Sequence, residues 1–177
     1  ELAANWDQPW MRLAAYFENR EEVPRLFEAL ETSIQRDPQN WKPYHALSRV
    51  IVQHVRTAKH YYGLEEQALK ERIVTILEQS LEVSPKNFLV AQDYAIALER
   101  AFPEKMEDTY AAWQVTLKHA PDPVSRETVH LEMAKLSLKQ GRYDAGLEHL
   151  NQSTDPLYSP QRNTLRTQFE AAMVGAQ

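Results

Sequence analysis

Apolar residues recur along this 177-residue chain with the spacing of amphipathic helices. The first stripe occupies positions i, i+3, i+4 and i+7 of one helix, at Trp10, Leu13, Ala14 and Phe17. Further stripes follow as far as residue 150, and short polar segments such as "ENREE" and "KQGRYD" separate them. The sequence lacks the alternation with a period of two that indicates strands. The pattern therefore predicts an all-α protein.

Four prolines divide the stripes into recurring intervals. Pro38, Pro85, Pro121 and Pro156 are separated by 47, 36 and 35 residues. Because a proline inside a helix removes a hydrogen bond and clashes with the preceding turn, each should lie just outside a helix. A recurrence of roughly 34 to 36 residues is typical of helical-hairpin repeats.

The segment "KQGRYDAGLEHL", residues 139–150, resembles the turn between the two helices of a tetratricopeptide repeat (TPR). Gly141 stands at the turn, where a residue without Cβ takes a positive φ at no steric cost. Tyr143 matches the position that packs the turn, and Gly146 the position where the helices approach closely. The first repeat resembles the same pattern through Trp10, Ala14, Phe17, Leu30, Ser33 and Pro38.

The resemblance covers nearly the whole chain and implies a right-handed superhelical array of antiparallel helix hairpins, a TPR-like α-solenoid with a C-terminal capping helix. We predict a single domain over residues 1–177, with repeats at about 7–40, 41–87, 88–124 and 127–160 and the capping helix at about 160–174. Side chains that precede the stripes are expected to cap helices. These are Asp7, Asn40, Ser84, Ser125 and Ser159.

The second repeat departs from the pattern because it holds 47 residues, 41–87, without a loop-like insertion. We expect one long helix that ends at Gly63, then a second long helix, so that the hairpin protrudes. Tyr61 and Tyr62 lie near its tip and are candidates for an exposed aromatic contact surface. The alternative is that these tyrosines pack against their own hairpin.

Composition narrows the classes of function. With 20 Lys and Arg against 25 Asp and Glu, the net charge is −5, which argues against nucleic acid as a partner. No stretch approaches the ~18 consecutive apolar residues of a membrane span. The absence of Cys excludes disulfides and thiolate chemistry. We expect a soluble protein, cytoplasmic or periplasmic, and the start "ELAANW" without Met favours a processed chain or a fragment.

The sequence offers no pattern of catalytic or metal-binding residues. His45, His54 and His60 are spaced by nine and six, whereas two imidazoles on one helix face a common ion at a spacing of three or four. His119, His130 and His149 are expected to be scattered among the repeats. Phosphate loops and nucleophile elbows are missing from the sequence. We predict a non-enzyme without catalytic residues, metal or cofactor, although a Ser-His-Asp triad stays open because its members meet only in space.

In TPR arrays the first helix of each repeat lines a concave groove. The resemblance assigns eight residues to a partner-binding groove here: Lys42, His45, Arg49, Gln53, Gln92, Arg100, Lys135 and Lys139. Five of them are Lys or Arg, which favours an acidic peptide. We expect a protein–protein interaction module that binds a peptide or helix of a partner. The alternative is a structural segment of a larger scaffold or a self-assembling homo-oligomer.

Overall fold

The computed structural model describes residues 8–175, so the cap expected at Asp7 lies outside the described residues. Within this range all regular structure is helical, which confirms the all-α prediction. The helices are α1 (Gln8–Asn19), α2 (Val23–Arg36), α3 (Trp41–Gln53), α4 (Val55–Tyr62), α5 (Glu66–Val83), α6 (Phe88–Ala101), α7 (Met106–Lys118), α8 (Pro123–Lys139), α9 (Tyr143–Gln152) and α10 (Ser159–Gly175), with a 3-10 turn at Pro156–Tyr158.

The chain forms two compact units, and the boundary between them falls between Ala101 and Phe102. The first unit contains α1 to α6, and the second contains α7 to α10. This boundary lies inside the third predicted repeat, between its two helices. The prediction of a single domain over 1–177 stays a prediction.

Apolar stripes of α2, α3 and α5 build the core of the first unit. Phe27, Leu47, Ile51 and Leu77 are among its fully buried side chains. Each of these burials contributes about 1.5–3 kcal/mol relative to exposure, so the stripes read from the sequence are the faces that hold the helices together.

The second repeat has the two predicted long helical segments, but the first of them is broken. Gly63 ends it with φ of 63°, as expected, and α5 runs for 18 residues. At His54, however, φ of −123° and ψ of 45° leave the helical region, so α3 stops and α4 begins. The break allows α4 to pack against α2 as well as α5.

This packing places the tyrosines of the hairpin tip against α2, although 38% of Tyr61 stays exposed, and the partner contact expected at Tyr61 and Tyr62 stays a prediction. The rings of Tyr61 and Tyr62 lie 5.2 and 5.4 Å from the ring of Phe27 in α2. The guanidinium of Arg72 sits 4.2 Å from the centre of the Tyr62 ring and pairs with Glu31 at 2.9 Å. Burial, followed by the charge of Glu31, raises the pKa of Tyr62. The tip folds back onto α2, where the three rings meet in tilted and edge-to-face contacts that bury apolar surface.

In the second unit, α8 and α9 form the hairpin that "KQGRYDAGLEHL" predicts. Gly141 has φ of 69°, and the N–H of Arg142 reaches the carbonyl of Ser137 to close the turn. A Cβ on Gly146 would stand 2.1 Å from Cζ of Phe169 in α10, so only glycine admits this ring. The C-terminal helix therefore packs on α8 and α9, with the ring of Phe169 in the space that the missing side chain of Gly146 leaves.

Helix caps agree with the prediction at one position and differ at two. Asn40 Oδ1 accepts the backbone N–H two residues later at 3.1 Å, as expected. Ser84 instead terminates α5, and Asn87 accepts an N–H from the first turn of α6. At α8 the cap is Asp122, which accepts the N–H of Ser125 at 2.8 Å. A proline in the first turn is favourable for a helix, so α8 begins earlier than Ser125.

Candidate functional site

A cavity of about 360 Å³ lies beside the break at His54 in the first unit. Helices α3, α5 and α6 line it, together with the first residue of α4. Its apolar lining consists of Val52, Val55, Ile73, Leu77, Ile96 and Ala97. Its polar lining consists of Ser48, Arg49, Gln53, Lys70, Asp93 and Arg100.

A second cavity, of about 290 Å³, lies beside the first. It is formed by α1, α2 and α3, and α1 contributes Met11, Ala15 and Glu18. Arg49 and Gln53 line both cavities. The two cavities thus form one elongated surface, which we call the first-unit groove.

Two arginines of the groove carry positive charge that the first unit does not neutralise. Arg49 and Arg100 are exposed, and neither forms an ion pair with another described residue. The other charged groups of the larger cavity are paired. Lys70 lies 2.9 Å from Glu66, and Asp93 is held by a histidine described next.

His45, predicted as a groove residue, lies behind the groove rather than in it. Its side chain is buried, and its Nε2 is 2.8 Å from Oδ2 of Asp93. The imidazole also packs 5.9 Å from the ring of Trp41. Asp93, on α6, is therefore the residue that faces the cavity, and its position 48 residues away left no signal near His45 in the sequence.

The structure brings together three of the eight predicted groove residues, namely Arg49, Gln53 and Arg100. Lys42 and Gln92 lie in the first unit but line neither cavity. Besides the buried His45, the remaining two, Lys135 and Lys139, belong to the second unit. Lys135 pairs with Glu132 at 2.7 Å, and Lys139 stands exposed in the last turn of α8.

Sequence reasoning missed the part of the site that α5 supplies. Ile73, Leu77 and Lys70 belong to the second helix of a repeat, which the resemblance places behind the groove. Their periodicity marks them only as one face of a helix. They line the cavity beside the break at His54, and the sequence around this break contains neither a proline nor a glycine that would indicate it.

In the second unit, three polar rings form a hydrogen-bonded chain across α7, α8 and α9. Tyr110 Oη lies 2.8 Å from His149 Nε2, and His130 Nδ1 lies 3.1 Å from His149 Nδ1. Burial lowers the pKa of both imidazoles, and for His149 the neighbouring His130 adds to the effect. The expectation that the histidines are scattered is wrong for His130 and His149, because the hairpin turn places α8 beside α9.

A buried carboxylate organises the chain that leads into α10. Glu127 accepts hydrogen bonds from the hydroxyl of Ser153 and from the N–H groups of Thr154 and Asp155, at 2.6 and 2.8 Å for the two amides. Although burial alone would raise the pKa of Glu127, these hydrogen bonds lower it below its usual range. The buried carboxylate of Glu127 thus makes its hydrogen bonds within the second unit.

Two negative observations apply to residues 8–175. No three His, Asp or Glu side chains in this range converge as ligands for a metal ion. No helix in it has the length and apolar character that crossing a membrane requires.

Comparison with known proteins defines the class of fold. No family model and no curated protein sequence matches the chain. Solved structures of helical-repeat proteins do match over most of its length, and their helical hairpins confirm the TPR resemblance at the level of fold.

Three of these structures illustrate the similarity. A MamA protein aligns with a TM-score of 0.68 at 10% identity, covering 96% of this chain and 91% of its own. A MamA fragment from Desulfovibrio magneticus RS-1 aligns with a TM-score of 0.65 at 11% identity, covering 94% and 93%. YrrB, a TPR protein with an unusual peptide-binding site, aligns with a TM-score of 0.53 at 12% identity, covering 90% and 91%.

Proposed function

We propose that this protein is a non-catalytic interaction module that binds a peptide segment of a partner protein in the first-unit groove. The observation that carries the proposal is the pair of exposed arginines, Arg49 and Arg100, which line the larger cavity and have no ion-pair partner among residues 8–175. An elongated surface of two joined cavities suits a chain segment better than a compact ligand. YrrB shares the fold and has a peptide-binding site, which is in keeping with this use of a TPR array.

The charges of the groove favour an acidic segment. A protein with a net charge of −5 repels acidic partners at long range, but unpaired arginines in a cleft create a local positive potential that orients them at short range. Arginine also forms bidentate hydrogen bonds with carboxylates. The partner contacts predicted from the sequence at Lys42, Gln92, Lys135 and Lys139 stay predictions.

Fluorescence anisotropy with short, labelled peptide pools tests the proposal. One pool is rich in Asp and Glu, the other in Lys and Arg, and both contain the same mixture of apolar residues. The groove variant is Arg49→Glu/Arg100→Glu. The control variant, Arg36→Glu/Lys86→Glu, changes the net charge equally at exposed residues that line neither cavity.

We expect the acidic pool to bind the wild-type protein, with affinity that falls as salt is added. The groove variant should lose roughly tenfold or more in affinity, because reversing two charges replaces attraction by repulsion. Equal binding by the groove and control variants would contradict the proposal, as would a preference for the basic pool. Light scattering on the same samples addresses self-assembly, since a dimer lost only in the groove variant would assign the groove to a second copy of the chain.

A further inference from the structure

We infer that the partner segment carries a bulky apolar side chain, such as Leu, Met or Phe, which enters the larger cavity while acidic neighbours contact Arg49 and Arg100. This inference rests on the proposed function and specifies its ligand. Its starting point is the cavity itself, whose volume of about 360 Å³ lies within the roughly 300–1,000 Å³ of typical ligand pockets.

The apolar lining of this cavity lies on both sides of the helix break. At His54 the chain leaves the helical region, and the valines on either side are exposed, at 44% for Val52 and 39% for Val55. Across the cavity, the buried side chains of Ile73 and Leu77 of α5 complete the apolar surface. The cavity is therefore an apolar depression with exposed valines at its surface.

The polar groups around the depression determine which segment suits it. Asp93 is hydrogen-bonded to His45, and Lys70 is paired with Glu66, so both already have a partner within the first unit. The arginines remain, and they favour carboxylates on the residues that flank the inserted side chain. A purely polar acidic segment would leave the apolar lining in contact with water, and the arginines would repel a basic segment. The segment that suits both the apolar lining and the arginines is acidic and carries one apolar side chain, which we call the anchor.

Peptide pools with one fixed central residue test the anchor. The flanking positions are mixtures of Asp, Glu, Ser and Gly, and the centre is Leu, Met, Phe or Ala. Affinities are measured by fluorescence anisotropy for the wild type, for Val52→Trp and for Val115→Trp. Val52→Trp fills the cavity from an exposed position without changing charge. Val115 is similarly exposed, at 42%, and lies on α7 away from both cavities, so Val115→Trp is the matched control.

We expect pools centred on Leu, Met or Phe to bind the wild type roughly tenfold more tightly than the pool centred on Ala, because burying the larger side chain removes more apolar surface from water. Val52→Trp should abolish this preference. It should keep the weaker, salt-dependent binding that the acidic flanking residues provide. Val115→Trp should keep the preference.

The outcomes separate the inference from the proposed function. If all acidic pools bind equally and Arg49→Glu/Arg100→Glu abolishes the binding, the groove binds acidic segments and the anchor is wrong. If the anchor preference survives in Val52→Trp, the apolar side chain binds elsewhere and the inference is overturned. If no acidic pool binds the wild type, the proposed function fails and the inference fails with it.

Discussion

The two units differ in what they do with polar side chains. In the second unit, the Tyr110–His149–His130 chain and the carboxylate of Glu127 make their hydrogen bonds inside the unit. In the first unit, Arg49 and Arg100 line the groove and form no ion pair with any residue that the structure describes. Internal hydrogen bonds add order and stability, whereas unpaired charge beside exposed apolar surface provides affinity for a partner.

The first unit also pairs charges outside the groove. Arg72 contacts both Glu31 and the ring of Tyr62 at the folded-back hairpin tip. The same hairpin thus has one face where an ion pair joins two helices and another face that presents Arg49 to the groove. Each of the following substitutions tests one side of this contrast.

The largest effect is expected from truncating the ring that holds α10 in place. Phe169 is fully buried and packs with Leu131, Ala134 and Leu150. Phe169→Ala should reduce the free energy of unfolding by about 3–5 kcal/mol, since it leaves a cavity in the core. Chemical denaturation measures the loss, and hydrogen exchange should place the added opening in α8 to α10. Tyr16→Ala, at an exposed aromatic of α1, is the control, and an equally large loss there would contradict the assignment.

An intermediate effect is expected from acidification of the histidine pair. Burial holds the pKa of His130 and His149 below the value of about 6.5 that an unfolded chain shows. The unfolded state therefore takes up protons first as the pH falls, and stability rises with pH. The stabilisation is complete above about pH 6.5 and is lost as the pH falls through the folded-state pKa. The facing charges of Arg126, Glu127 and Glu148 act on the pair and do not reverse this direction.

The measurement is the melting temperature of wild type and His149→Gln between about pH 7 and about pH 5. His149→Gln should flatten the dependence, because it removes one titrating group and relieves the other of a neighbouring charge. His60→Gln, at an exposed residue of α4, is the control. An unchanged slope in His149→Gln would show that the pair does not set the acid sensitivity.

The smallest effect on stability is expected at the groove. Arg49→Glu/Arg100→Glu should change the free energy of unfolding by no more than about 0.5 kcal/mol, because exposed side chains without ion pairs contribute little to folding. Denaturant titration beside the binding assay measures both quantities on one sample. A loss comparable with that of Phe169→Ala would mean that these arginines serve folding, and the contrast between the units would fail.

Local signals in the sequence determined the helices and their turns. Apolar spacing identified the buried faces, and Gly63 and Gly141 identified two helix ends where a positive φ is required. These features depend on residues within one or two turns of each other. For the same reason the sequence resembled TPR arrays strongly enough to predict the fold, although no family model matches it.

Only the tertiary structure decided how those faces meet. The packing of Tyr61 and Tyr62 on Phe27 and the pairing of His45 with Asp93 join residues on different helices. The apolar period shows which side of a helix is buried, but it does not show which side chain that side meets. The groove charges Arg49 and Arg100 could therefore be named from the sequence, whereas the apolar cavity beside them could not, because its lining comes from several helices that meet only in the fold.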